Sequence, residues 1–587
     1  MSSTTSGAPK RAADNTFLTE ARAALRQAVS QHVPLSVFTW QPAHKQETYQ
    51  AGTMAVSFPF IDAGISLAAL EDAYTLNTRD PLNRMRSTLA TFKDATICEM
   101  RAALLKQEYQ PGQPHIHMIP KLKYSNTLPA LEGVADALYE AQYHFHEPVD
   151  LNDPKSFRPL HIAQWKDKSV QNSLNLMFSS YLASRWKPHV VGFRAGISIP
   201  TILVSLERAM AATGRRVVLL ADVEDFFGSI PRGRVLNVLD GETGYRKDPL
   251  LASLLHQFVS PNGVGLPQGS PLSPLLANLY GADCIDTYWQ AGPLMRYADD
   301  LAVVVESVAG ARRLYADMSS QLQGHGLRLH PRKSMIVDFA TGRIYRPDGT
   351  EIHETVLYLG VELAWREAEQ QFEYRMANKS IRKLLQGLKD VLSDQEIGPE
   401  EAETAWLCRW STMRLKVIGW LLAFQVAEMS AEQAQVLKLG LHACGLTREA
   451  LRNQVEWCKF FHDDPAALLA KIAAAMNLDE KDAEQLTWDS IEPLGVPLDA
   501  YLAKRIPALK RFREAPLRLP YKERGKTAYT TQVTVPLKDD GFIYTPSDPA
   551  IWSTPVPQGD LVLRSWSPSN NWFGGGALPT MDAGSLF

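Results

Sequence analysis

Two textures of apolar patterning run along the chain. Val217–Leu220 and Leu301–Val305 are short, apolar and partly β-branched, as buried strands are. Runs of this kind alternate with helical stretches from about residue 110 to residue 365. Before that the pattern is helical, clearest over Ala21–Gln31 and Met85–Glu108. From Gln110 to Phe157 the chain is rich in Pro and His and reads as irregular. After residue 375, Ile381, Leu384, Leu385, Leu388, Val391 and Leu392 fall at helical spacing, and Trp406–Gln425 is a second apolar-rich helix. Beyond about residue 500 prolines, basic residues and tryptophans predict short strands and loops. No internal repeat is present.

Two of the strand-like runs carry acids where a core would not hold them. Val217-Val-Leu-Leu-Ala-Asp222-Val-Glu-Asp225-Phe-Phe227 is an apolar strand ending in carboxylates. In Arg296-Tyr-Ala-Asp299-Asp300-Leu-Ala-Val-Val-Val305 two adjacent acids interrupt an apolar run, as a tight turn between strands requires. Desolvating a carboxylate costs several kcal/mol unless a cation compensates. The natural compensation is a pair of Mg²⁺ ions, with Mn²⁺ as the alternative, the two ions ~3.5–4 Å apart for phosphoryl transfer and held by carboxylates from separate strands. Asp222 and Asp299 are the expected ligands. Asp300 belongs to the same catalytic set but is less direct, because adjacent strand residues point opposite ways. Between the two runs, Gly265-Leu-Pro-Gln268-Gly269-Ser270-Pro-Leu-Ser-Pro274 leads into an apolar helix. Gly269 lets backbone approach a ligand there without obstruction.

These segments together resemble the motif series of prokaryotic reverse transcriptases of the group II intron, retron and defence-associated types. The series is D-x-x-x-x-F, then L-P-Q-G-S-P-L-S-P-x-L-x-N, then Y-A-D-D. Arg158-Pro-Leu-His-Ile, Asp167-Lys-Ser-Val-Gln171 and Gly192-Phe-Arg194-Ala-Gly196 look like the fingers motifs of that family. Gly326-Leu-Arg-Leu-His-Pro-Arg-Lys333 and Tyr358-Leu-Gly360 resemble its later palm motifs. The match covers about residues 110 to 365, in order.

The resemblance implies an α+β right-hand fold of fingers, palm (an antiparallel sheet with helices) and helical thumb. It divides the chain into an N-terminal extension (1–109), fingers with an insertion (110–215), palm (216–370), thumb (371–495) and a basic, aromatic C-terminal segment (496–587). It implies an RNA-directed DNA polymerase acting on dNTPs, with an RNA template and a DNA product. Phe227 falls where the family keeps an aromatic against the sugar 2′ position, favouring dNTPs. Asp225, Gln268 and Gly269 resemble the nucleotide pocket. Arg158 resembles the arginine that grips the triphosphate, and Lys333 the lysine near the leaving group. An extra stretch lies between Ile119-Pro-Lys121 and Arg158, which leaves Lys121 and Lys155 as alternatives for a second fingers cation. Gly228 stands where many relatives carry an acid or amide.

Charge refines this picture. The net charge is −3, with a pI near 6.6, which is low for a protein that grips long nucleic acid. Basic residues concentrate from Lys504 to Lys526, nine against two acids, with Phe512 and Tyr521 interleaved. Lys510, Arg511 and Arg513 are therefore expected on nucleic acid, together with Arg194. A polymerase with its own N-terminal extension and C-terminal tail and a modest charge resembles the defence-associated types more than a mobile intron enzyme, and that resemblance implies antiphage defence with a dedicated non-coding RNA. Untemplated or protein-primed synthesis on the same fold, and an RNA-binding maturase or scaffold, are the other readings. A homo-oligomer or a partner protein stays open. His115/His117 and His144/His146 read as solvent-facing or hydrogen-bonded rather than as metal ligands. No C-x-x-C pair, secretion signal or membrane-length apolar run occurs, so a reducing cytoplasm is the expected compartment.

Overall fold

The computed structural model describes residues 48–51, 54–57, 93–182, 190, 192–193, 199–286, 292–393 and 402–453, with short stretches between 469 and 543. The helix expected at Ala21–Gln31 lies outside the described residues. The described part of the Met85–Glu108 helix is α1 (Lys93–Leu105).

The stretch expected to be irregular holds regular structure instead. Strands β1 (His115–Pro120) and β2 (Phe157–Ile162) form an antiparallel hairpin, with helix α2 (Val134–Tyr139) between them. The pattern hid β1 because His115 through Ile119 are all exposed, so no core-facing alternation marks it. Helices α3 (Trp165–Leu182) and α4 (Ile199–Thr213) follow.

The central sheet is built from β3 (Val217–Asp222), β4 (Leu294–Tyr297), β5 (Asp300–Val305), β6 (Met335–Asp338), β7 (Arg343–Tyr345) and β8 (Glu351–Ile352). Its order is β8-β7-β6-β3-β5-β4, antiparallel throughout. Helices α5 (Arg232–Thr243), α6 (Pro249–Phe258), α7 (Ser273–Cys284) and α8 (Val308–Gly324) belong to the same region. Strand alternation explains why β3 is apolar nearly throughout. Val218 and Leu220 enter one core with Ala302, Val304 and Ile381. Val217, Leu219 and Ala221 enter the other with Leu301, Val303, Leu236 and Leu276. With both faces covered no polar stripe remains, and the run ends where the sheet does, at Asp222.

A second antiparallel sheet, β9 (Leu357–Tyr358), β10 (Val361–Arg366) and β11 (Gln371–Met376), leads into thumb helices α9 (Asn378–Leu392), α10 (Ala402–Ala423) and α11 (Ala431–Ala443). Ser430 and Gln433 form a reciprocal capping box at the start of α11. This is the fingers, palm and thumb arrangement of a right-hand polymerase. No helix among the described residues is long and apolar enough to cross a membrane.

Candidate active site

Asp222 closes β3 and pairs in register with Asp300, the first residue of β5. Asp299 sits in the turn joining β4 to β5, beside Ala298 in a left-handed conformation at φ 54°. A non-glycine residue in that region is strained and persists only where its surroundings hold it. Here Gly192 lies directly over the turn, where an added Cβ would come within 2.7 Å of the Ala298 nitrogen. The Asp299 carbonyl accepts from Val223 N at 3.1 Å, tying the turn to β3.

A buried arginine anchors β4 from below. Arg296 is fully buried and grips Asp286 through Nε (2.6 Å) and a second nitrogen (3.1 Å). It also donates to the side chain and backbone carbonyl of Asn278, each at 3.1 Å. Asn278 in turn donates to the Gly192 carbonyl at 2.6 Å. One network therefore links α7, β4 and the cover over the aspartate turn.

The three acids share a field. Burial and the charge of Asp222 push Asp299 up to about 6. Asp300 is raised well above the ordinary carboxylate range by burial, then by Asp299 and Asp222. Lys333 and Arg158 act on Asp299 in the opposite sense. Lys333 lies 3.3 Å from both carboxylate oxygens of Asp222. Arg158, on β2, thus comes within the field of the acids.

The Gln268–Gly269 loop meets both neighbours. His161 N donates to the Gln268 carbonyl at 2.7 Å, and Leu266 N to the Phe227 carbonyl at 2.8 Å. Gly269 has φ 96°, and a Cβ there would meet the His161 carbonyl at 2.8 Å. Ser270 donates to Gln171 at 2.5 Å. Asp225 also adopts a left-handed conformation, and its carboxylate folds over Gly228. A Cβ at 228 would fall against that carboxylate, so a larger residue there requires the Asp225 side chain to turn aside. Phe226 is the buried ring of the pair, whereas Phe227 is half-buried and packs edge-on against Phe193 at 6.0 Å.

Other expectations fare differently. Arg513 is not a free phosphate-binding group: its guanidinium holds Glu207 at 2.9 Å through two nitrogens and donates to the Phe372 carbonyl at 2.7 Å. Glu207 is buried on α4 and requires a cation there. Arg194, Lys510 and Arg511 lie outside the described residues. His144 and His146 stack at 4.8 Å, and His146 meets the Glu147 carbonyl. His115 and His117 are exposed. Asp167 is structural, accepting from Tyr109 and from Gly112 N.

Two residues near the acids escaped the sequence reading. Lys379 and Lys383 sit one turn apart on α9. Lys379 shares a field with Asp300, and burial lowers Lys383 to about 8 with Lys379 and Arg158 adding to the effect. Their signal was a pair at i and i+4 opening an amphipathic helix. The Tyr358 hydroxyl is buried near Asp300 and has no hydrogen-bond partner among the described residues.

One family profile and three known proteins are similar to parts of this chain. Residues 148–363 match the family profile described as reverse transcriptase (RNA-dependent DNA polymerase). Retron Ec86 reverse transcriptase of Escherichia coli is 31% identical over 214 residues, 35% of this chain and 63% of that protein. Group II intron-encoded protein LtrA of Lactococcus lactis subsp. cremoris is 25% identical over 160 residues, 26% of each. Apo telomerase from Candida tropicalis superposes with TM-score 0.33 at 10% identity, covering 60% of this chain and 63% of that one. The chain spans less than two thirds of the length of each of these proteins. Residues 148–363 thus match a reverse-transcriptase domain.

Proposed function

We propose that the protein is an RNA-directed DNA polymerase that adds dNTPs to a primer by two-metal phosphoryl transfer. The observation that carries this reading is the convergence of Asp222 with Asp299 and Asp300 in one crowded field, which raises both turn acids.

The donor set fits a hard divalent cation by its chemistry, since all three groups are carboxylates. Among the described residues no group of three or more His, Cys, Asp or Glu side chains is gathered closely enough to hold a metal ion. Lys333 instead presents a positive charge to both oxygens of Asp222. Asp222 and Asp299 would hold Mg²⁺, or Mn²⁺, with Asp300 beside them. When bound, the ions would lower the pKa of the primer 3′-hydroxyl and neutralise charge on the triphosphate.

The chain's own residues do the positioning. Arg158 binds the triphosphate from the fingers hairpin. The Gln268–Gly269 backbone and Asp225 line the nucleotide pocket, and Phe227 excludes a ribose 2′-hydroxyl. Lys333 is placed to move toward the leaving pyrophosphate.

A finer reading is that the enzyme works in antiphage defence with a dedicated non-coding RNA. The motif series and the modest net charge support it. The test is sequencing of nucleic acid that co-purifies with wild type and with Asp299→Ala, before and after dNTPs and Mg²⁺. A discrete RNA in both, with complementary DNA only in wild type, is expected. Simple-sequence DNA without a matching RNA contradicts templated synthesis. No DNA from wild type with any primer contradicts the polymerase.

A further inference from the structure

Residues 121–156 join the two strands of the fingers hairpin, yet they do not turn back at its tip. They cross to the thumb. Helix α9 begins after Ala377, which has no side chain to cap it, and Asn126 Oδ1 takes that role by accepting from Lys379 N at 3.2 Å. The Asn126 carbonyl accepts from Asn378 at 2.9 Å, and its amide donates to Glu362 at 3.0 Å. Arg382 donates to the Thr127 carbonyl at 2.5 Å and to its hydroxyl at 3.1 Å. The exchange is reciprocal. Lys389, buried on α9, donates to the carbonyls of Ala137 (2.8 Å) and Glu140 (2.6 Å) and so caps the end of α2.

Packing makes the crossing permanent. Val134, Ala137, Leu138 and Phe145 are buried in one core with Leu385 and Leu441 of the thumb. Phe145 N donates to Gln386 at 2.9 Å. The charge of Arg158 on β2 reaches Lys383 on α9 and helps to lower its pKa.

We propose that residues 121–156 are a fixed bridge that closes the cleft above Asp222, Asp299 and Asp300 into an eyelet, so that single-stranded nucleic acid loads by threading a free end. The proposal rests on the polymerase reading for where the strand lies. Its test reads topology rather than turnover.

A labelled single-stranded RNA is prepared in linear and in covalently circular form. Wild type is expected to load the circle at least about tenfold more slowly than the line. A second measurement uses Asn126→Cys/Asn378→Cys. A disulfide between these positions closes residues 126–378 into a covalent loop. Linear RNA bound to this protein, ligated into a circle in place and then oxidised, should stay linked through denaturation and leave on reduction. Equal loading of circle and line by wild type overturns the proposal. So does the absence of linked circle when thiol titration shows the disulfide formed. Failure of the polymerase reading looks different: linear RNA threads, but no dNTP is incorporated.

Discussion

Lys333 holds Asp222 through both carboxylate oxygens, each 3.3 Å from its ammonium. The lysine is largely exposed at 61% and the aspartate largely covered at 15%, so the pair contributes little to stability. Its consequence is chemical, because the ammonium lies where a divalent cation would compete for the same oxygens. Lys333→Ala is expected to lower the Mg²⁺ concentration needed for half-maximal rate. The maximal rate should fall by on the order of 10²-fold, as loss of a positioned proton donor would give. Steady-state incorporation against Mg²⁺ concentration checks both. An unchanged Mg²⁺ requirement contradicts the competition.

Asp299 has a pKa raised to about 6, so folding takes up a proton there between the ordinary carboxylate value and that point. The sign follows directly. Metal-free protein loses stability as pH rises through that window, because the buried group is forced to ionise. Asp299→Asn should therefore raise the metal-free Tm at about pH 7.5 by on the order of 2–4 °C, the shift that ~1 kcal/mol gives a domain of this size. The difference should shrink toward pH 5. Mg²⁺ should stabilise wild type more at the higher pH. Thermal melts at the two pH values decide this, and a lower Tm for the variant at both contradicts it.

The Arg296–Asp286 pair is buried on both sides and bidentate. Arg296→Met takes the bidentate guanidinium partner away from the buried Asp286, at a cost of about 3–5 kcal/mol. Arg296→Met/Asp286→Leu should recover most of that loss. Urea denaturation of the two variants reads the difference directly. A single variant costing under about 1 kcal/mol would show that the pair does not anchor β4.

Phe227 is half-buried, whereas its neighbour Phe226 is in the core. Phe227→Ala should therefore leave folding and dNTP use nearly intact while discrimination against NTPs falls by on the order of 10–200-fold. Competing dNTP and NTP incorporation measures the ratio. A wild type that already prefers NTPs contradicts the gate.

Asp222, Asp299 and Asp300 stood out in the sequence because an apolar strand has no reason to end in an unpaired acid. Their meeting depends on the Asp222–Asp300 register, which the β3 and β5 runs do not fix, because with both faces covered no alternation marks it. Strand β1 was not legible, since an exposed strand leaves no apolar alternation. Arg513 shows another limit. A basic run reveals charge but not the carboxylate waiting for it. The clue was Glu207, an acid set inside the apolar helix Ile199–Thr213. Asn126 capping α9 joins positions far apart in the chain, and spacing carries no trace of such a contact.

Extension of a DNA primer on a defined RNA template, with the product sequenced, tests the central claim most directly. Wild type with Mg²⁺ and dNTPs is expected to give the complement of the template, and Asp299→Asn, with its fold intact by thermal melt, is expected to give none. Equal product from both proteins, or wild-type product unrelated to the template, would contradict an RNA-directed polymerase built on Asp222, Asp299 and Asp300.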